Sequence, residues 1–408
     1  MMRKPYLFLA FLMIALLLAG CSGELPVTGT EPAQVTQPTE DPRIPITVWA
    51  SQEDMNDQTS WIPAMCQAFL EENPQWDIRI RYGVCEAEDI ARYGAGESET
   101  PADVFLFSAN QLELLQTAGM LAPLSADAAA AMKEEVFPLA VSAVTAGDGR
   151  VYGFPYCMEA PLLYYDKHVF SESDTQCLDT MLESGRVYLD LSDPLLLTSF
   201  YSAAGGSFRP DEIQLGSDAG AAATDYLARL AANRNLESGR ADHGVDRLLN
   251  GGVGAVIAGP DYASCISAVL GENYGVSRLP SILLQGSAVP LPSLVKIGAI
   301  GVNPNSSQPE IAMALAEYLS GGPSQRSNLE KHFAIPTNLS VMEDAALGAN
   351  PAVQAERSAL DGAIPFPGVL NESRLQLLNE MGAAIAEQRV TAANAGDAAD
   401  KLWQNLNR

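Results

Sequence analysis

Glu159 and Asp193 are the side chains in this 408-residue chain whose type and setting could do chemistry. Glu159 ends the stretch Pro155-Tyr156-Cys157-Met158, and Asp193-Pro194 stands at the start of a predicted helix. Two carboxyl groups facing one cleft can act as the acid and base of a glycosidase. They can equally accept hydrogen bonds from sugar hydroxyls. For Asp193 a plainer role is open beside these, that of a helix N-cap with Pro194 at the first helical position. The two roles are compatible. Other chemistries lack their residues. No GxSxG elbow and no Walker loop is present, and no CxxC pair exists. His168, His243 and His332 lie far apart without metal-ligand spacing. Gly252-Val253-Gly254 has Ile257 where a dinucleotide loop needs its third glycine. Those glycines also precede a strand, whereas the nucleotide fingerprint follows one. No metal and no cofactor is expected.

The elements around these residues alternate. Ile44 to Ala50 forms a short apolar strand. Ile62, Met65, Cys66, Phe69 and Leu70 recur at helical spacing, and Asn73-Pro74 stops that helix. Trp76, Ile78, Ile80 and Tyr82 alternate with polar residues as a second strand. A helical stretch follows from about Glu86 to Gly94. Val104-Phe105-Leu106-Phe107 is a continuous apolar strand, buried on both faces. Gln111 to Ala118 is helical, with Gly119 as its stop. This rhythm predicts a parallel sheet flanked by helices. Extended segments at Val151–Tyr156 and Leu162–Tyr165 look like a crossover between lobes. Mostly helical sequence runs from Asp174 to Asn250, interrupted by Val187-Tyr188-Leu189. Strands follow at Val253–Ala258 and Val295–Val302, then helices at Ile311–Leu319 and Glu372–Arg389. Residues 44–408 are too many for one comfortable core and suggest two lobes.

The N-terminus specifies a compartment. Arg3 and Lys4 precede the apolar run Leu7 to Leu18, which is 12 residues long. A membrane span needs about 20. Leu18-Ala19-Gly20-Cys21 closes the run with small residues and a cysteine, the pattern of a lipoprotein signal peptide over residues 1–20. Cleavage would leave Cys21 to carry a lipid anchor and place the protein outside the cytoplasm, tethered to the membrane. Residues 21–43, rich in Pro, Thr and Glu, form a flexible linker. Within it Leu25-Pro26-Val27-Thr28-Gly29 matches a sortase pentapeptide, but such signals act at a C-terminus ahead of an apolar tail. The net charge of −26 becomes −28 once the two cations Arg3 and Lys4 are removed. Scarce, scattered Lys and Arg exclude a nucleic-acid surface. Of the six cysteines, Cys66 and Cys85 could bridge or could be buried free thiols.

The order of landmarks is specific. Pro101-Ala102-Asp103-Val104 leads to Ala118-Gly119-Met120-Leu121-Ala122-Pro123-Leu124, then Val151-Tyr152-Gly153-Phe154-Pro155 and Leu163-Tyr164-Tyr165-Asp166-Lys167. Gly251 to Pro260 follows, then Tyr274-Gly275-Val276, Leu279-Pro280 and Pro336-Thr337-Asn338. Over residues 44–408 this order resembles the extracellular solute-binding proteins of carbohydrate ABC importers, most closely the maltose/maltodextrin-binding branch.

The resemblance implies an α/β fold of the periplasmic-binding-protein type, with two lobes, a hinge and an interlobe cleft. It implies lobe 1 at 44–157 plus 296–345 and lobe 2 at 158–295 plus 346–408. It further implies a monomer without enzymatic activity that captures an oligosaccharide and delivers it to ABC permease subunits. Carried over residue by residue, the site comprises Ser51, Glu53 and Asp54 after the first strand, and Phe107 at the end of the third. Asn110 and Gln111 stand in place of the family's Asp-Arg pair. Glu159 is the hinge-side acid. Asp193-Pro194-Leu195 takes the Glu-Pro-aromatic position and lacks the ring. In Gly259-Pro260-Asp261-Tyr262, Asp261 replaces a stacking tryptophan and Tyr262 stands beside it. Arg374 falls near a further aromatic position. Trp49 and Tyr156 are expected in the core, Phe107 and Tyr262 against the ligand. The residues themselves leave two alternatives open: a glycoside hydrolase using Glu159 with Asp193 or Asp261, and a binder of a polyamine or peptide, since acids without aromatic platforms suit a cation.

Overall fold

The computed structural model describes residues 41–55, 60–85, 89–92, 102–209, 213–215, 217–332, 334–344 and 347–408. The predicted leader, Cys21 and nearly all of the linker lie outside them, as does most of the helix expected over 86–94. The side chains of Glu53, Ser217 and His332 also lie outside the description.

Strand Ile44–Ala50 pairs in parallel with Ile78–Val84 on one side and Val104–Ser108 on the other. This is the parallel arrangement the β-α-β rhythm predicts. Among the described residues the next three strands join antiparallel, and only the last, short strand is again parallel to its neighbour. Leu294–Val302 runs against Val104–Ser108, and Phe154–Glu159 runs against Leu294–Val302. Ile335–Pro336 closes that edge, and Ile364–Pro365 joins alongside Leu294–Val302 to complete seven strands. Antiparallel pairing enters where distant sequence returns to the sheet, which local periodicity does not encode.

A second sheet of five strands runs in the order Tyr274–Ser277, Leu162–Asp166, Ala255–Ala258, Val187–Leu189, Leu236–Ser238. Its three inner strands are apolar at consecutive positions because both faces are covered. Leu162, Tyr164 and Val256 point into one apolar core, Leu163, Tyr165 and Ile257 into another. The first of these cores is continuous with that of the large sheet through Val48, Phe105, Met158 and Ile297. Consecutive strands Phe154–Glu159 and Leu162–Asp166 thus belong to different sheets, joined only by Ala160-Pro161.

Helix Trp61–Glu72 buries Trp61, Ile62, Cys66 and Phe69, the predicted face. Helix Leu112–Thr117 ends at Gly119, whose φ of +69° is the left-handed conformation that favours glycine. Helix Pro194–Ala203 begins with Asp193 accepting from the Leu195 N–H at 2.9 Å and Pro194 in the first turn. Among its described residues the stretch expected to be mostly helical contains four α-helices and, beyond Val187–Leu189, the short strands Ser207–Phe208, Ile213–Gln214 and Leu236–Ser238, too short to show a period. Cys66 and Cys85 are both buried, Cys66 is a free thiol, and burial pushes it up to about 12.

Candidate binding site

One cavity of about 400 Å³ is lined by residues from both sheets: Ser51, Asp54, Tyr156, Cys157, Glu159 and Lys296 on the large-sheet side, and Pro260 and Asp261 from the small one. Asn328 and Ala334 complete the wall. Ser51 and Asp54 follow the C-terminal end of strand Ile44–Ala50, where open α/β sheets bind ligands. Their side chains fix each other: Ser51 Oγ donates to Asp54 Oδ2 at 2.8 Å, and the Asp54 N–H donates to Ser51 Oγ at 3.2 Å. Glu159 ends strand Phe154–Glu159, directly opposite Lys296 in the antiparallel register. Asp261 lies in the turn Pro260–Tyr262 that breaks the buried strand Ala255–Ala258. That turn is held by Tyr164, whose hydroxyl donates to the Gly259 carbonyl at 2.9 Å.

Tyr156 supplies the aromatic surface. Its ring lies 4.7 Å from that of Trp61 at 31°, and Trp61 Nε1 is anchored on Ser324 Oγ at 2.9 Å. Burial, and then its neighbours Cys157, Asp54 and Glu159, push the Tyr156 phenol well up, so it stays a neutral donor. Burial likewise pushes the Cys157 thiol well up and removes it as a nucleophile. The lining thus offers three carboxyl groups, one ammonium, one phenol and a hydroxyl. It can hold a polyhydroxyl or cationic solute by hydrogen bonding.

A second cavity of about 430 Å³ lies across the same strand. Val295 and Ile297 line it, while Lys296 between them faces the first. Asn110 and Glu113 provide polar atoms, and Phe208 and Phe366 provide rings. Asn110 Oδ1 is turned away from solvent and has no hydrogen-bond partner among the described residues.

The structure therefore gathers Ser51, Asp54, Glu159 and Asp261 in one cavity and puts Asn110 in another. The remaining expected site residues sit elsewhere. Phe107 is 2% exposed, packed beside Phe105 and beneath Gly153, so it is a core residue. Its strand is internal to the sheet and covered on both faces, which leaves no ligand-facing side. Gln111 lines neither cavity, and its Oε1 lacks a hydrogen-bond partner among the described residues. Asp193 serves as the helix cap. Burial holds its carboxyl above the usual range, partly offset by the Leu195 N–H and then by Lys296. Tyr262 packs against the first core, near Asp242 and Cys265, and lines neither cavity. Arg374 is a staple: Nε donates to the Leu406 carbonyl at 2.8 Å and Nη1 to that of Val369 at 2.9 Å. Glu53 falls in helix Gln52–Met55, with its side chain outside the described set.

Sequence reasoning missed Tyr156 as a lining residue, because a ring stacked on a buried tryptophan also satisfies the core reading. It missed Lys296, although a single charge inside Leu294-Val295-Lys296-Ile297 was a signal. Asn328, Phe208 and Phe366 had none.

Residues 64–355 match the family model of bacterial extracellular solute-binding proteins. The chain belongs to that family. Among relatives, it is 21% identical over 301 residues to the galactooligosaccharide-binding protein of Bacillus subtilis (strain 168), covering 67% of this chain and 69% of that protein. A structure solved with acarbose superposes with a TM-score of 0.81 at 30% identity, over 90% of this chain and 99% of the other. The maltodextrin-binding protein MalE1 from L. casei BL23, without ligand, gives 0.80 at 19% identity, over 90% and 100% of the two chains. The last of these shows the two-lobed fold alone. This solute-binding protein thus carries its polar cavity where strand ends of two sheets meet.

Proposed function

We propose that this protein captures an oligosaccharide in the acid-lined cavity and presents it to ABC permease subunits for import, tethered to the membrane through lipidated Cys21. The observation that carries the reading is the meeting of Asp54, Tyr156 and Glu159 with Asp261 around one volume. Carboxylates accept sugar hydroxyl hydrogens, Lys296 and the Tyr156 hydroxyl donate, and the Tyr156 ring offers an apolar face. A solute touching residues of both sheets favours the conformation in which both contacts exist. It does so by the difference in its affinity for the two states. Similarity to a galactooligosaccharide binder and to a structure with acarbose supports the solute class. The family and these relatives support a binding role for Glu159 and Asp261 over a hydrolytic one.

A second reading is favoured by the lining itself. Three carboxyl groups against one ammonium suit a cationic solute such as a polyamine. A thermal-shift panel of maltotetraose, galactooligosaccharide, acarbose and spermidine separates the two. A solute at 100 times its dissociation constant adds about 2.7 kcal/mol of stability. Stabilisation by an oligosaccharide and none by spermidine is expected, and stabilisation by spermidine alone overturns the sugar assignment. Release of reducing sugar from a bound oligosaccharide would restore the hydrolase.

A further inference from the structure

Among the described residues, Glu356 is the one acidic or basic side chain with no exposed surface, and neither of its carboxyl oxygens has a hydrogen-bond partner in the protein. Buried polar groups are nearly always partnered, and this fold follows that rule close by. Gln325 accepts from the Thr337 and Asn338 N–H groups at 2.7 and 2.9 Å and donates to Thr337 Oγ1 at 3.0 Å. Thr337 Oγ1 in turn donates to the Pro155 carbonyl at 2.8 Å. Glu356 is the exception, and its place is informative. Its helix, Pro351–Ala359, packs against Leu162–Asp166 and Tyr274–Ser277 of the small sheet and against Ile335–Pro336 of the large one. The carboxyl faces the connection Ala160-Pro161 between the sheets, with the Ala160 N–H directed toward it.

We propose that Glu356 is a proton-binding site linked to solute capture, neutral when the cavity is empty and holding its proton less tightly once a solute engages Glu159. The inference rests on the cavity lined by Glu159 being the solute site. The groups facing Glu356 are few. Glu159 stands at the end of its strand opposite Lys296, and its remaining negative charge opposes ionisation of Glu356. Tyr164 and Tyr274 approach from the small sheet, and the Tyr274 hydroxyl is itself buried without a protein partner. Cys265 lies beyond Tyr274, Ile335–Pro336 brings no titratable group, and Arg357 on the same helix is exposed. Burial, and then Glu159, hold the Glu356 carboxyl well above the usual range. A hydroxyl or ammonium bonded to Glu159 spreads or cancels that charge, which removes one of the two causes. The released proton passes to solvent. By linkage the effect is reciprocal: a proton held less tightly in the complex means that solute affinity rises as pH climbs above the ordinary carboxylate range.

The first test needs no solute. Infrared spectra of the full-length chain are recorded across pH for the wild type, Glu356→Gln and Glu159→Gln. A protonated-carboxyl band is expected at neutral pH in the wild type and absent in Glu356→Gln. In Glu159→Gln the band should vanish at a lower pH, corresponding to several-fold weaker proton binding. Absence of the band in the wild type, or an unmoved titration in Glu159→Gln, overturns the inference. The Glu159→Gln comparison stands even where Glu356→Gln fails to fold. Calorimetry with maltotetraose, acarbose and spermidine then reads the linkage, with affinity rising several-fold with pH in the wild type and flat in Glu356→Gln. Parallel profiles in the two proteins also overturn it. If none of these solutes binds, the solute assignment fails while the infrared result on Glu356 stands.

Discussion

The two cavities on either side of strand Leu294–Val302 differ in chemistry although they share a wall. On one side Lys296 joins Asp54, Glu159 and Asp261, and on the other Val295 and Ile297 join Phe208 and Phe366. The strand's period of two produces this directly, since adjacent side chains point to opposite faces. A single residue in an apolar run, Lys296, therefore marks which face is polar. Phe107, buried in the first core, lines neither cavity.

That contrast can be broken in several ways. The largest effect is expected from Phe107→Ala, which removes a fully packed ring and costs about 3–5 kcal/mol of stability. Urea unfolding measures it. Unchanged solute affinity in the folded variant would keep Phe107 in the core, and a lost affinity with intact stability would return it to the site. Glu159→Gln sits on the polar face and removes a charge-assisted acceptor, worth about 1.5–3 kcal/mol of binding. Calorimetry should show affinity reduced roughly tenfold or more, with little change in folding. Phe366→Ala tests whether the aromatic cavity extends the bed for a longer oligosaccharide. A ring contact of about 0.5–1.5 kcal/mol should be lost for maltotetraose and not for maltose. Equal effects on both would separate the second cavity from solute length.

The smallest effect concerns pH. Burial raises the Asp193 carboxyl, so the folded protein holds its proton more tightly than the unfolded chain does. The stability this contributes is present at acidic pH and is lost as pH rises through the window just above the ordinary carboxylate range. Asp193→Asn keeps an N-cap side chain and removes the titration, so thermal melts across that window should show a shallower decline. An unchanged slope would assign the pH dependence to other groups, Glu356 first.

Long periodic segments announced themselves. The strand at Ile44–Ala50, the helix face of Trp61, Ile62, Cys66 and Phe69, and the Asp193-Pro194 cap depend on neighbours in sequence, and local sequence was enough to find them. The ordered landmarks carried the fold and family in the same way. The site divided along a different line. Ser51 and Asp54 follow a strand end and Glu159 ends a strand, positions that a strand pattern defines. Tyr156 and Lys296 became lining residues only when strand Phe154–Glu159 was paired with Leu294–Val302, across more than a hundred residues of chain. Phe107, Tyr262 and Arg374 line neither cavity because tertiary neighbours engage them: Gly153 and Phe105, the first core, and the carbonyls of Leu406 and Val369. The sequence by itself thus determined the elements, their caps and the family. Which face each strand turned to the solute, and which buried carboxyl was left without a partner, was decided by long-range pairing and packing, because burial and register are properties of contacts that local sequence does not contain.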